Sequence, residues 1–78
     1  FRDEDRTIVL YESVHRIEKT LSEIADALSD QPERKVVICR ELTKMHEEAV
    51  HTTVASLKET STTLTKKGEF AIVIGPNR

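Results

Sequence analysis

Tryptophan is absent from this 78-residue sequence, and one Tyr and two Phe are all its aromatic residues. That leaves no row of rings on which unpaired RNA bases could stack. A single cysteine, Cys39, excludes an internal disulfide and a cysteine-rich metal site. Gly68 and Gly75 are the only glycines, so there is no glycine-rich phosphate loop. Apolar runs fall far short of the ~20 residues that span a bilayer. No signal-peptide pattern is present, and a reducing cytoplasm is the expected compartment. Charge of one sign is lacking too: 12 Lys and Arg against 14 Asp and Glu give a net charge of −2. A strongly basic nucleic-acid module is thereby excluded. The chain begins with Phe1 instead of Met, which leads us to expect a piece of something longer.

What is present is patterned. Apolar residues, 37% of the chain, are clustered, which marks a globular domain of modest size and stability. Thr7 to Tyr11 is β-branched and aromatic and predicts a strand. Ser13 is a good helix cap, and Val14, Ile17, Leu21, Ile24 and Leu28 recur at spacings of three and four, on one helical face. Ser29-Asp30-Gln31-Pro32 is turn chemistry that stops this helix. Lys35 to Cys39 predicts a second strand, with Cys39 a small buried hydrophobe. Strand, helix and strand make a βαβ unit, whose strands are expected to run parallel.

Thr43 to Leu57 is ambiguous. Helix propensity favours one long helix. The alternative is a short strand around Glu47 to His51 followed by a helix capped by Thr52 or Thr53. Thr60 to Lys67 reads as a loop, and Gly68 opens a last strand, Glu69 to Ile74. A string of this kind is shared by ferredoxin-like domains and several α/β subdomains, so it does not give function.

Two polar clusters stand out. Arg40-Glu41-Leu42-Thr43-Lys44-Met45-His46-Glu47-Glu48 follows the carboxyl end of an apolar strand, where α/β proteins bind ligands. Tyr11-Glu12-Ser13-Val14-His15-Arg16 occupies the same place after the first strand. With parallel strands the two would share one rim of the sheet, where an ion pair such as Glu12 with Arg40 is plausible. A helix N-terminus there offers backbone N–H groups to an anion. The blander reading is a solvated turn with weak local ion pairs. His15, His46 and His51 lack zinc-site spacing, and no metal is expected. Ser13 lacks the G-x-S-x-G setting of a nucleophile.

These strings, with Lys67-Gly68-Glu69-Phe70, resemble the C-terminal half of bacterial small-subunit ribosomal RNA methyltransferases. Those enzymes are a branch of the tetrapyrrole-methylase-like (class III) S-adenosylmethionine methyltransferases. The resemblance covers nearly the whole chain. It departs where the family has a small residue such as proline near Val14, and a Gly-Thr pair in place of Thr52-Thr53. The N-terminal domain, with its glycine-rich acidic signature, has no counterpart here.

The resemblance implies an α/β fold, the βαββαβ-like second domain of the tetrapyrrole methylase fold. Residues 1–78 would be that single domain, with a mixed sheet, flanking helices and a last strand inserted between the first two. That gives strand order 1-4-2-3, against 4-1-3-2 for a ferredoxin-like module. It also implies a strand near Glu47 to His51 and a helix from about Thr53 to Glu59. The implied activity is transfer of a methyl group from S-adenosylmethionine to a cytidine ribose 2′-hydroxyl of 16S rRNA. Tyr11, Glu12, Arg40, Glu41 and Leu42 would form one wall of the cofactor cleft. His15 or Lys44 is a candidate for the base, the catalytic residue being otherwise unassigned. Lys44, His46 and Lys67 would approach RNA phosphates. A homodimer acting on 16S rRNA or the small ribosomal subunit is implied, and the fragment alone is expected to be inactive. The alternative is a small non-enzymatic ferredoxin-like binding or dimerisation module, with its polar clusters at opposite ends of the sheet.

Overall fold

The computed structural model describes residues 6–43, 46–64 and 67–76. Its elements are β1 (Ile8–Glu12), α1 (Ile17–Ala27), β2 (Lys35–Thr43), β3 (His46–Thr53), a short 3₁₀ turn (Val54–Ser56), α2 (Leu57–Thr63) and β4 (Glu69–Ile74). The strands form one sheet in the order β1-β4-β2-β3. The expected order 1-4-2-3 is therefore the observed one, and the ferredoxin-like order is not.

Every neighbouring pair in this sheet is antiparallel, so the expected mixed sheet is corrected. The cause lies in β4. It runs between β1 and β2 and opposes both, so those two strands share a direction without being paired to each other. Gly68, at φ 83°, makes the turn into β4 in a region that only glycine enters readily.

Both helices cover the same sheet face. From α1 come Ile17, Leu21, Ile24 and Ala25, with Leu28 just beyond its end; Val54 and Leu57 come from the turn and α2. They close over Val36, Ile38, Phe70, Ile72 and Ile74 of the sheet. Each large side chain here contributes about 1.5–3 kcal/mol by leaving water. The predicted helical stripe is thus the core face of α1, with Val14 packed at its margin.

The other sheet face carries no helix among the described residues. Val9 and Tyr11 of β1 are exposed there, Tyr11 by 82%. Val37, Cys39, Ala71 and Val73 lie half-buried beside them. Cys39 is accordingly not a core residue, because alternate residues of a one-sided sheet leave the core.

Two boundaries differ from expectation, each for a local reason, and one ambiguous stretch is resolved. α1 starts at Ile17 instead of at Ser13, which caps with its carbonyl, accepting the N–H groups of Arg16 (3.1 Å) and Ile17 (3.0 Å). The strand implied near Glu47 to His51 is present within β3, where pairing with β2, from Lys35 opposite Thr53 to Glu41 opposite Glu47, outweighs helix propensity. The expected loop at residue 60 is still helix, through Thr63. There the Thr62 and Thr63 hydroxyls donate to the carbonyls of Glu59 (2.7 Å) and Thr60 (3.0 Å), while Ser61 and Leu57 are buried.

Arg34 is buried and fastens the far end of the sheet. Its Nε donates to the Gly75 carbonyl (2.7 Å) and its guanidinium to Gln31 Oε1 (2.9 Å). Its own carbonyl accepts the Val54 N–H (3.0 Å), tying the 3₁₀ turn to the loop before β2.

Candidate functional site

The end of the sheet opposite Arg34 is the rim that the two polar clusters share. Phe70 of β4 stands opposite Glu12 on one side and opposite Arg40 on the other. The clusters are therefore neighbours across a single strand. This is the arrangement expected of a shared rim, and it opposes the ferredoxin-like reading.

Glu12 and Arg40 do not pair with each other, which corrects that expectation. With β4 between them their strands are two spacings of about 4.8 Å apart, and each side chain has a nearer partner. The Thr20 hydroxyl donates to Glu12 Oε2 (2.6 Å), and the Ser13 N–H donates to Oε1 (3.2 Å). Arg16 Nε lies 3.6 Å from the same carboxylate. The Thr20 hydrogen bond is the main reason the Glu12 pKa lies below its ordinary value, with Ser13 and Arg16 adding to it against partial desolvation. One carboxylate of the chain itself thus occupies the turn where an anion was expected.

Arg40 is 6% exposed, and its guanidinium pairs with Glu48 across the β2–β3 ladder. Glu48 is half-exposed, so this is a buried cation held by a carboxylate that reaches solvent.

Tyr11 and Glu41 approach the same rim from the open sheet face, and both are exposed. Of the expected cofactor-wall residues, Tyr11, Glu12, Arg40 and Glu41 therefore gather at one end of the sheet, divided between its two faces. Two shallow depressions meet there. One, of about 510 Å³, is lined by Tyr11, Glu12, Ser13, Val14 and Gly68 to Phe70. The other, of about 330 Å³, is lined by Tyr11, Cys39, Arg40, Glu41, Glu47 and residues 69–71.

His15 is exposed in the turn that follows Glu12, and Lys67 is exposed just before Gly68. Lys44 lies outside the described residues, as do the side chains of Leu42 and His46. Thr20 was missed by sequence reasoning, while Glu48 and Phe70 stood in the quoted strings without a role of their own. Thr20 and Glu48 each lie eight residues from the charge they hold, a separation that becomes a contact only through α1 or the β2–β3 ladder.

Comparison with known proteins gives the family. A family model described as Tetrapyrrole (Corrin/Porphyrin) Methylases matches residues 1–58. The chain belongs to the tetrapyrrole methylase family. Both polar clusters lie inside the match. The chain is also 42% identical over 71 residues to the Synechocystis sp. protein named ribosomal RNA small subunit methyltransferase I. That match covers 91% of this chain and 25% of the relative. Proteins of the same name from Bacillus subtilis (37% over 68 residues) and Mycoplasma genitalium (39% over 74 residues) are similar as well. The matches take in 87% and 95% of this chain, against 22% and 25% of those relatives. The chain thus spans about a quarter of the length of the curated relatives it matches.

The rim combines an aromatic ring with carboxylates. Tyr11 supplies an apolar ring open to solvent. Glu12 and Glu41 supply carboxylate oxygens, which accept hydrogen bonds from hydroxyl and ammonium groups and favour a sulfonium charge.

Proposed function

We propose that this chain is the C-terminal domain of an S-adenosylmethionine-dependent methyltransferase of small-subunit rRNA. The rim of Tyr11, Glu12, Arg40, Glu41 and Leu42 forms one wall of its cofactor cleft. The supporting observation is the convergence of both polar clusters beside Phe70 in a tetrapyrrole methylase chain. The names of the relatives supply the substrate class, and the family resemblance supplies the finer target, a cytidine 2′-hydroxyl. S-adenosylmethionine supplies a methyl group carried on a sulfonium.

This chain's residues hold and orient the reactants. A wall fixed by two helices and four strands keeps its groups in place, and positioning of this kind accounts for much of enzymatic rate enhancement. The hydroxyl proton must leave as the ribose oxygen takes the methyl carbon. His15, exposed in the turn after Glu12, is the candidate base among the described residues, with Lys44 as the alternative. Lys44, His46 and Lys67 meet the RNA backbone. The chain's net charge of −2 is compatible with RNA binding if most of the basic surface lies elsewhere in the enzyme. The enzyme works in the cytoplasm as a homodimer. Among the described residues, no helix is long and apolar enough to cross a membrane.

Isothermal calorimetry separates one wall from a whole pocket. The full-length enzyme is expected to bind S-adenosylmethionine at micromolar concentration, and the 78-residue chain alone to give no measurable heat. Micromolar binding by the chain alone would overturn the shared-cleft reading.

A further inference from the structure

Three groups hold the Glu12 carboxylate, and they differ in what fixes them. The Ser13 N–H and Arg16 Nε both face Oε1, at 3.2 and 3.6 Å. Both precede α1 in the turn that leaves β1, so neither ties Glu12 to a packed element. The Arg16 side chain is 60% exposed, and an ion pair of that kind is weak. Among the described residues, it is the Thr20 hydroxyl that faces Oε2, at 2.6 Å, and it comes from inside α1.

Thr20 is itself fixed by the core. Ile17, Leu21 and Ile24 flank it in α1 and are buried. Its N–H donates to the Arg16 carbonyl (2.9 Å), as the helix requires. A threonine has a single hydroxyl proton, and in a helix that proton often goes to the carbonyl four residues earlier. Here it goes to Glu12, eight residues earlier, and so joins α1 to the end of β1. The bonds from Ser13 and Thr20 occupy two of about four lone pairs of the carboxylate, so both oxygens can accept further bonds. Glu12, its side chain 18% exposed, lies in the wall of the depression of about 510 Å³.

We propose that Thr20 is a positioning residue of the methyl-donor site, whose hydroxyl holds the Glu12 carboxylate ready to accept a hydrogen bond from the donor. An untethered glutamate is flexible, and a ligand that has to order it loses affinity. Thr20 supplies the order before the donor arrives. It also favours the charged carboxylate, which is the stronger acceptor. The proposal rests on the reading of the rim as a donor wall and adds to it a residue outside the lining of the depression.

Methyl transfer by the full-length enzyme, with S-adenosylmethionine varied at fixed rRNA, tests it through two substitutions. Thr20→Val keeps nearly the shape of threonine and loses the hydroxyl, whereas Thr20→Ser keeps the hydroxyl and loses the methyl. Thr20→Val is expected to raise KM for the donor about fivefold or more, with kcat at saturating donor within about twofold of the parent. Thr20→Ser is expected to restore KM to within about twofold of the parent. The acid limb of kcat/KM is expected to move to higher pH in Thr20→Val, because Glu12 then holds its proton more readily. Arg16 at 3.6 Å and the exposed Glu69 of β4, which lines the same depression, are the charged groups around Glu12, and His15 is exposed in the adjoining turn. The Thr20 hydroxyl bonds Glu12 and none of these, so the limb that moves is that of Glu12. In a Glu12→Ala background, Thr20→Val is expected to add less than about twofold. A merely structural role would lower the folded fraction, and so kcat, while leaving KM and the acid limb in place; thermal melts check the folding of each variant. Thr20→Val with the parent's KM and pH profile, or Thr20→Ser as impaired as Thr20→Val, overturns the proposal and leaves the donor wall standing. Glu12→Ala with the parent's donor kinetics overturns both.

Discussion

Removing Glu48 should cost more stability than removing Arg40, although Glu48 is the more exposed of the two. The Arg40 side chain is 8% exposed and that of Glu48 46%. In Glu48→Ala a guanidinium is left in the helix-covered face without its ion-pair partner. Breaking a buried pair this way costs about 3–5 kcal/mol. Partial exposure of Glu48 screens the pair, which brings the expectation to about 2–3 kcal/mol. In Arg40→Met the cation itself is gone, and a flexible apolar chain fills the space beside Phe70 and Ile38. Glu48 then turns to water, for a loss of about 1 kcal/mol. For a domain of this size each kcal/mol moves Tm by about 4–8 °C. Glu48→Ala is therefore expected to melt about 5–15 °C below Arg40→Met. Thermal and urea melts followed by circular dichroism measure both. If Arg40→Met is the less stable variant, the pair is held mainly by packing of the arginine stem and the electrostatic reasoning fails.

Two further expectations concern the rest of the framework. Arg34→Met removes the guanidinium that bonds Gly75 and Gln31 from a buried position, and is expected to lose about 2–4 kcal/mol in a urea melt. Arg34→Lys should recover only part of it, since an ammonium lacks the planar fork. At the rim, Thr20 is the main cause of the lowered Glu12 pKa. A depressed carboxylate pKa adds stability above its unfolded value, and this is lost as pH falls through the folded value. Thr20→Val should therefore be less stable than the parent chain at pH 7, with the gap narrowing as the solution is acidified through the carboxylate range. A gap independent of pH would mean that Thr20 acts through packing alone.

Much of this architecture was legible because local signals agreed. The 3–4 spacing from Ile17 to Leu28 is the buried stripe of α1, and the apolar run after Gly68 is β4 with the expected limits. Turn chemistry before Pro32 marks the end of α1 because Pro32 cannot continue a helix. Less legible were features set by tertiary partners. Residues 47–53 have helix formers but become an edge strand, because β2 offers them a complete ladder. The apolar strands suggested burial on both faces, yet only one face has helices, which leaves Cys39 and Tyr11 outside the core. At the site, the clusters themselves were visible in the chain. Their pairing was not, since the expected Glu12–Arg40 contact ignores β4 between them. Thr20 and Glu48 hold those charges through a helix and a hairpin whose geometry sequence spacing does not display.

The central claim is that the Tyr11–Glu12 rim is a wall of the methyl-donor cleft. Transfer of radiolabelled methyl from S-adenosylmethionine to 16S rRNA by the full-length enzyme tests it most directly. Tyr11→Ala and Glu12→Gln are each expected to lower kcat/KM for the donor by about tenfold or more, with Tm changed by only a few degrees. Asp26→Asn, on the exposed face of α1 and paired only with Lys58 at 2.6 Å among the described residues, is expected to leave kcat/KM unchanged. Rim variants that match Asp26→Asn in donor kinetics would contradict the account.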